Sequence, residues 1–199
     1  MRFEVITLKK KEITDFAGER NTLLLKSKSE WVFFLDSDEK ISKELKEEMA
    51  VWLNGQTVDK YNGFYIYRKN YFLGRFIGTD RILRLAKRNS GKWQRKVHET
   101  WKVSGAVGQL ENPIIHETAK KLNEYIGKIN YYSTIHAEEN LRDGKKSNLF
   151  KILFYPPLKF FQSVLSGRGF VFSMLQSFHS FLAWSKQWNL TRNTGQAKK

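Results

Sequence analysis

The chain has 199 residues, 28% of them charged and 15% aromatic, with no cysteine and a formal net charge of +15. Its length suffices for one domain with a sizeable core, or a domain plus an appendage. The lack of cysteine excludes a disulfide framework and thiolate metal sites and agrees with a reducing compartment. Charge is unevenly spread: residues 1–143 hold 26 Lys and Arg against 20 Asp and Glu, whereas residues 144–199 hold nine against none. An acid-free basic tail calls for a polyanionic surface, either nucleic acid or a membrane.

Met1-Arg2-Phe3-Glu4-Val5-Ile6 has no apolar stretch long enough for a signal peptide, so a cytoplasmic chain is expected. Residues 1–8 alternate loosely (Phe3, Val5, Ile6, Leu8) and predict a first strand. Thr14 or Asp15 then caps a helix carrying Phe16, Glu19, Arg20, Leu23 and Leu24, which fades near Ser27–Ser29. Trp31-Val32-Phe33-Phe34-Leu35 is an uninterrupted apolar run, too short for a buried helix, and reads as a central parallel strand covered on both faces. It runs directly into Asp36-Ser37-Asp38-Glu39. Ligands of open α/β sheets sit beyond the carboxyl ends of such strands, so two carboxylates one residue apart there either hold a hard divalent cation or start the solvated turn of the next helix.

Ile41, Leu45, Met49 and Trp52 fall at helical spacing, with Ser42 as cap, Glu44 in the first turn and Asn54-Gly55 as the stop. From Tyr61 to Leu85 the period changes to two, with Phe64 and Ile66 on one face, Tyr65 and Tyr67 on the other, and a turn near Gly74. Asn89-Ser90-Gly91 marks a further turn. Short strands are expected around Trp101–Val103, Ala106–Leu110 and Ile114–His116, and then a helix from about Ala119 to Glu139 with Leu122, Tyr125, Ile126, Ile129 and Ile135 as its apolar stripe. The succession reads as α/β.

Between Phe150 and Trp188 lie eleven aromatic residues, interrupted by Lys151, Lys159, Arg168 and Lys186. Basic residues among Phe and Trp describe a helix lying in a bilayer interface, with Lys and Arg reaching to headgroups. The charge-free run Gly169–Ser185 has 17 residues, below the ~20 apolar residues that a spanning helix needs. The aromatics cluster with Leu, Val and Met rather than in a polar groove, and no nucleic-acid-binding motif is recognisable, so a membrane rather than nucleic acid is the expected partner. Two segments follow: 1–143 as a catalytic domain and 144–199 as amphipathic, membrane-associating helices.

Several stretches also carry a family likeness. Trp31 to Glu39 resembles the strand and Asp-x-Asp signature of family 2 glycosyltransferases, especially short bacterial ones that build lipopolysaccharide core and other surface glycans. Arg20-Asn21 resembles that family's basic-Asn pair on a helix. Asp80 with Leu83-Arg84-Leu85 resembles its Asp, Leu-Arg-Leu-Phe segment, Trp93 with Val97-His98-Glu99 its aromatic then Val-His-Glu, and Pro113-Ile114-Ile115-His116 its Pro-Ile-x-His. The motifs occur in the family's order from about residue 15 onward.

The resemblance implies a GT-A (nucleotide-diphosphosugar transferase) fold with a mixed sheet, truncated because the family's preceding βαβα nucleotide-binding unit has no counterpart here. A partner supplying that half is one expectation. It further implies metal-dependent, inverting transfer of a sugar from a nucleotide-diphosphosugar to a lipid-linked or lipopolysaccharide glycan acceptor, at the cytoplasmic face of a bacterial inner membrane to which the chain attaches peripherally. Asp36, Asp38 and His116 are then the metal candidates for Mg²⁺ or Mn²⁺, with Asp36 alternatively at the ribose. Glu99, or else His98, is the base that takes the acceptor hydroxyl proton. Arg20, Asn21, Arg84 and Trp93 are substrate-binding candidates: Arg20 and Arg84 for the diphosphate, Asn21 for positioning the Asp-containing loop, Trp93 for stacking on a sugar ring. Plainer roles compete, namely Glu39 as a helix cap, Arg84 paired with Asp80, His116 as a hydrogen-bonded core residue and Trp93 in the core. At the level of function the competing readings are a non-catalytic, membrane-docked binding or scaffold subunit, and a basic nucleic-acid-binding protein.

Overall fold

The computed structural model describes residues 3–8, 13–55, 58–95 and 99–196, with side chains described as far as residue 192. In chain order the elements are β1 (Phe3–Thr7), α1 (Phe16–Lys26), β2 (Trp31–Leu35), β3 (Glu39–Ile41), α2 (Lys43–Asn54), β4 (Gly63–Phe72), β5 (Arg75–Lys87), β6 (Gly91–Gln94), β7 (Thr100–Val103), β8 (Val107–Ala119), α3 (Leu122–Arg142), α4 (Leu149–Leu165) and α5 (Phe170–Gln196). A mixed six-stranded sheet runs in the order β1-β2-β5-β4-β8-β3, and β6 and β7 form a separate two-stranded ribbon. The architecture is mixed α/β, consistent with a GT-A-like fold. Two compact units are distinguished, residues 1–71 with 79–118, and residues 72–78 with 119–199.

The first unit is built around β2. Because side chains alternate across a strand, Trp31 and Phe33 enter one apolar cluster with Leu45, Met49, Phe64, Ile66, Leu85 and Ile114. Val32 and Phe34 enter a second cluster with Ile6, Ala17, Leu24, Ala86, Trp93 and Trp101. All four residues are fully buried, which is why the run shows no polar alternation. The strand is central, as its composition requires, but not wholly parallel: it pairs in parallel with β1 (Val5 opposite Phe33) and antiparallel with β5 (Phe33 opposite Leu85). Helix α1 starts where the Asp15 carboxylate accepts from the Gly18 N–H at 2.8 Å, and α2 where the Ser42 hydroxyl accepts from the Leu45 N–H at 3.1 Å.

Two expectations change at the sheet edge. The strands expected at Ala106–Leu110 and Ile114–His116 are parts of one strand, β8. Pro113 lies one residue past the Ile41–Ile114 pair at which the ladder with β3 ends. The short strand β3, unannounced by periodicity, takes Glu39 out of the helix-capping role and sets it opposite His116.

In the second unit, the β4–β5 turn is a two-residue hairpin loop with positive φ at both Leu73 (48°) and Gly74 (77°), as a type I′ turn requires. Phe72 and Ile77 from this turn pack with Ala119, Tyr125, Ile129 and Phe172. The boundary expected at 143/144 falls between α3 and α4, within this unit. Helix α4 ends in a Schellman motif: the Gly167 N–H bonds to Val164 O at 2.9 Å and the Arg168 N–H to Ser163 O at 3.3 Å, with Gly167 at φ 75° where a side chain would be strained. No helix among the described residues is long and apolar enough to cross a membrane.

Phe34 packs edge-on against both Trp93 and Trp101 at 5.2 Å between ring centroids. Phe34→Ala is therefore expected to lower the free energy of unfolding by ~3–5 kcal/mol in urea titrations. Leu25→Ala, at an exposed position of α1, should change it by no more than ~0.5 kcal/mol.

Candidate active site

At the exit of β2 the Asp36 carboxylate is shared between two buried arginines. Arg20 Nη2 of α1 donates to Oδ1 at 2.6 Å, and Arg84 Nη2 of β5 donates to Oδ2 at 2.6 Å. The backbone turns immediately after Asp36, and Glu39 folds back so that its Oε2 accepts from the Asp36 N–H at 2.9 Å. Glu39 Oε1 receives Arg84 Nη2 at 3.1 Å and Arg68 Nη1 at 2.8 Å. Arg68 in turn makes a two-pronged contact with Asp80, Nε to Oδ1 at 3.0 Å and Nη2 to Oδ2 at 2.6 Å. At the other end Arg20 Nη2 reaches Glu99 Oε1 at 3.1 Å.

The chain of contacts continues to His116. Asn70 Nδ2 donates to Asp80 Oδ1 at 3.1 Å, which turns the amide oxygen toward His116 Nδ1 at 2.7 Å. An amide oxygen only accepts, so Nδ1 carries a hydrogen, and a neutral ring then has its lone pair on Nε2. That nitrogen lies 3.6 Å from Asp38 Oδ1, too far for a hydrogen bond. An imidazole lone pair and a carboxylate, both partly exposed, are donors suited to one divalent cation, and the carbonyl-fixed tautomer is the usual second partner of a metal-binding histidine. Among the described residues no group of three or more His, Asp and Glu is arranged to hold a metal. Further ligands would have to come from phosphate oxygens or water, as is usual for Mg²⁺.

Electrostatics favour a cation here. Among the described residues the network comprises three arginines (Arg20, Arg68, Arg84) and five carboxylates (Asp36, Asp38, Glu39, Asp80, Glu99). Burial pushes the Asp36 carboxyl up, but Arg84 and Arg20 together outweigh it and hold it below the ordinary value. Burial likewise opposes ionisation of Asp80, and its hydrogen bonds to Arg68 prevail, so it too is held low.

The candidates thus meet different fates. Arg20 and Arg84 lie together at the exit of β2, yet their charges are spent on carboxylates, and Arg84 pairs with Asp36 and Glu39 rather than with Asp80. Asn21 does not hold the Asp-containing loop. Its side chain exchanges two hydrogen bonds with the backbone of Trp93, at 2.9 and 2.8 Å, and so pins β6 to α1. Trp93 is 5% exposed, stacked on Trp101 at 5.3 Å, with the Arg20 guanidinium 4.5 Å from its ring centre. It is a core residue, with no open face for a sugar. Asp36 is paired with Arg20 and Arg84, and His98 lies outside the described residues. Arg68 and Asn70 join the network without any expectation from the sequence, and Glu39 joins it in place of capping a helix. The signal for Arg68 and Asn70 lies in β4, where the inward face of Phe64 and Ile66 continues at the same period as Arg68 and Asn70, an apolar face turning polar at its end.

A carboxylate whose folded pKa is depressed contributes stability that is complete above its unfolded pKa and is lost as pH falls through the folded value. Asp36 and Asp80 should therefore make unfolding free energy drop as the pH is lowered from ~4, near the unfolded carboxylate value. In urea titrations across this range, Arg84→Gln should be less stable at neutral pH by ~3–5 kcal/mol, since Asp36 and Glu39 lose a buried partner. It should also show a shallower acid-side decline.

No protein-family model matches the chain. Among curated proteins it is 28% identical over 186 residues to the lipopolysaccharide core biosynthesis glycosyltransferase LpsC of Rhizobium meliloti, an alignment covering 86% of this chain and 68% of that protein. It is 24% identical over 180 residues to an uncharacterized glycosyltransferase of Rickettsia felis (79% and 64% covered) and 23% identical over 193 residues to one of Rickettsia bellii (86% and 66% covered). The chain thus spans about two thirds of the length of the curated relatives it matches. These likenesses run over most of the chain and make it similar to bacterial glycosyltransferases, one of them named for lipopolysaccharide core biosynthesis.

Proposed function

We propose that the chain carries the metal and acceptor side of a glycosyltransferase that moves a sugar from a nucleotide-diphosphosugar to a lipid-linked or lipopolysaccharide glycan, by inversion, at a membrane surface. The observation that carries this reading is the Asp38–His116 pair, with the His116 tautomer fixed by Asn70 so that a lone pair and a carboxylate converge 3.6 Å apart. A Mg²⁺ or Mn²⁺ held by Asp38 and His116 would supply neutralisation of the charge that grows on the departing diphosphate. Glu99 is the base: Arg20 fixes Oε1 at 3.1 Å, leaving Oε2 to receive the proton of the acceptor hydroxyl as it attacks the anomeric carbon. Asp36 orients rather than coordinates, keeping Arg20 in place beneath Glu99. The lipopolysaccharide acceptor follows LpsC by analogy. The basic, acid-free tail argues for work at an anionic membrane surface.

A second reading, a binding or scaffold subunit without catalysis, is favoured by one observation: Glu99 is already ion-paired to Arg20. The two readings part under a simple assay. Calorimetric titration with UDP- and GDP-sugars should show donor binding that requires Mn²⁺, weakened at least ~10-fold by Asp38→Asn or His116→Ala. Glu99→Gln should leave donor binding within a factor of ~3 while lowering turnover ~100-fold or more. Metal-dependent binding with no turnover in the native chain favours the scaffold, and binding indifferent to Asp38 and His116 removes the metal assignment.

A further inference from the structure

Helix α4 wears its apolar surface on the outside. Its buried positions are Pro156 and Ser163, whereas Phe150, Leu153, Phe154, Leu158, Phe161 and Leu165 are all exposed, Leu165 to 86%. At ~100° per residue these six span somewhat less than half of the helix circumference, and Lys151, Tyr155, Lys159 and Gln162 form a separate polar stripe beside them. A helix folded against a core in water shows the reverse. The contact of α4 with α5 includes small polar groups beside the edge-on packing of Tyr155 against Trp184 at 5.3 Å: the Ser163 and Ser173 hydroxyls hydrogen-bond at 2.9 Å, and the Ser177 hydroxyl donates to Pro156 O at 2.9 Å. Small residues and hydroxyl bonds of this kind join helices whose outer surfaces face lipid. The apolar surface continues over the turn, where Phe170 and Val171 are exposed and Phe170 packs edge-on against Phe160 at 5.5 Å.

Charge selects the occupant. Lys151, Lys159 and Arg168 flank the apolar arc, and the segment from residue 144 onward contains no acid to repel an anionic surface. We propose that the exposed face of α4 and the adjoining α4–α5 turn seat themselves in the headgroup–acyl boundary of an anionic phospholipid bilayer. The helix lies in the plane of the membrane without crossing it, and Ser163 and Ser173 brace α4 against α5 from behind. The inference rests on the membrane-surface part of the function proposed above and is independent of sugar transfer.

The test uses the full chain in sedimentation with vesicles of phosphatidylcholine, alone or mixed with phosphatidylglycerol. Binding to the mixed vesicles should exceed that to the neutral ones by ~10-fold or more and fall with added salt. Phe154→Glu/Phe161→Glu should reduce it by at least ~10-fold, whereas Leu25→Glu/Val51→Glu, at exposed apolar positions of α1 and α2, should not. Because the chain has no cysteine, Leu158→Cys and Gln162→Cys can each carry a single fluorophore, so the result does not depend on the double variant folding. Quenching by nitroxide-labelled acyl chains is expected at position 158 and not at 162. Absence of vesicle binding, equal quenching at both positions, or a lipid-free dimer dissolved by Phe154→Glu/Phe161→Glu would each overturn the proposal, the last in favour of a second copy as occupant. Loss of sugar transfer to a soluble acceptor with vesicle binding intact counts against the glycosyltransferase mechanism and leaves the docking face standing.

Discussion

The carboxylate of Asp36, gripped by Arg20 and Arg84, is the interaction on which the first unit depends. Two guanidinium groups, 1% and 6% exposed, cost several kcal/mol each to bury without a counter-charge, and one carboxylate pairs with both. It thereby fixes three elements at one point: α1 through Arg20, the exit of β2 through its own backbone, and β5 through Arg84. Trp93 completes the enclosure by lying against Arg20, and Asn21 holds the Trp93 backbone in place. The arrangement is rigid because removing any one charge strands another in the interior.

That rigidity has an electrostatic consequence. Arginines bound to carboxylates have little charge to offer a phosphate, so the network as a whole is acidic. Asp38 and His116 lie at its other end, where Asn70 holds His116 Nδ1. The β3–β8 register brings this end into position: Glu39 lies opposite His116, and the residue before Glu39 is Asp38. Three residues of extended backbone thus convert a turn after β2 into a place where an imidazole and a carboxylate converge. The aromatic interior around Phe34 and the acidic cluster beyond it are products of the same strand, whose apolar run ends at Leu35.

The second unit follows another solvent logic. Phe72, Tyr125, Ile129 and Phe172 make a conventional apolar cluster. In α4 the ordering is inverted, with hydroxyls inside and phenyl rings outside, and two consecutive prolines, Pro156 and Pro157, occupy the helix interior. One chain therefore contains a core assembled by exclusion of water and a helix surface suited to being covered by something less polar than water.

Much of this was legible in the residues themselves. The central strand, the caps at Asp15 and Ser42, the turn at Gly74 and the basic, aromatic tail follow from local rules: alternation, capping hydrogen bonds, the φ of glycine and the absence of acids. Those signals lie within a few positions of each other, so no long-range contact was needed to read them. Tertiary structure decided the partners of the charges. That Arg84 takes Asp36 and not Asp80, that Asp80 takes Arg68, that Asn21 serves Trp93, and that Asn70 bonds His116 Nδ1 depend on residues 12 to 72 positions apart brought together by strand order and register. An ionised side chain pairs with whatever opposite charge burial places beside it, and a linear sequence supplies the charges without their distances.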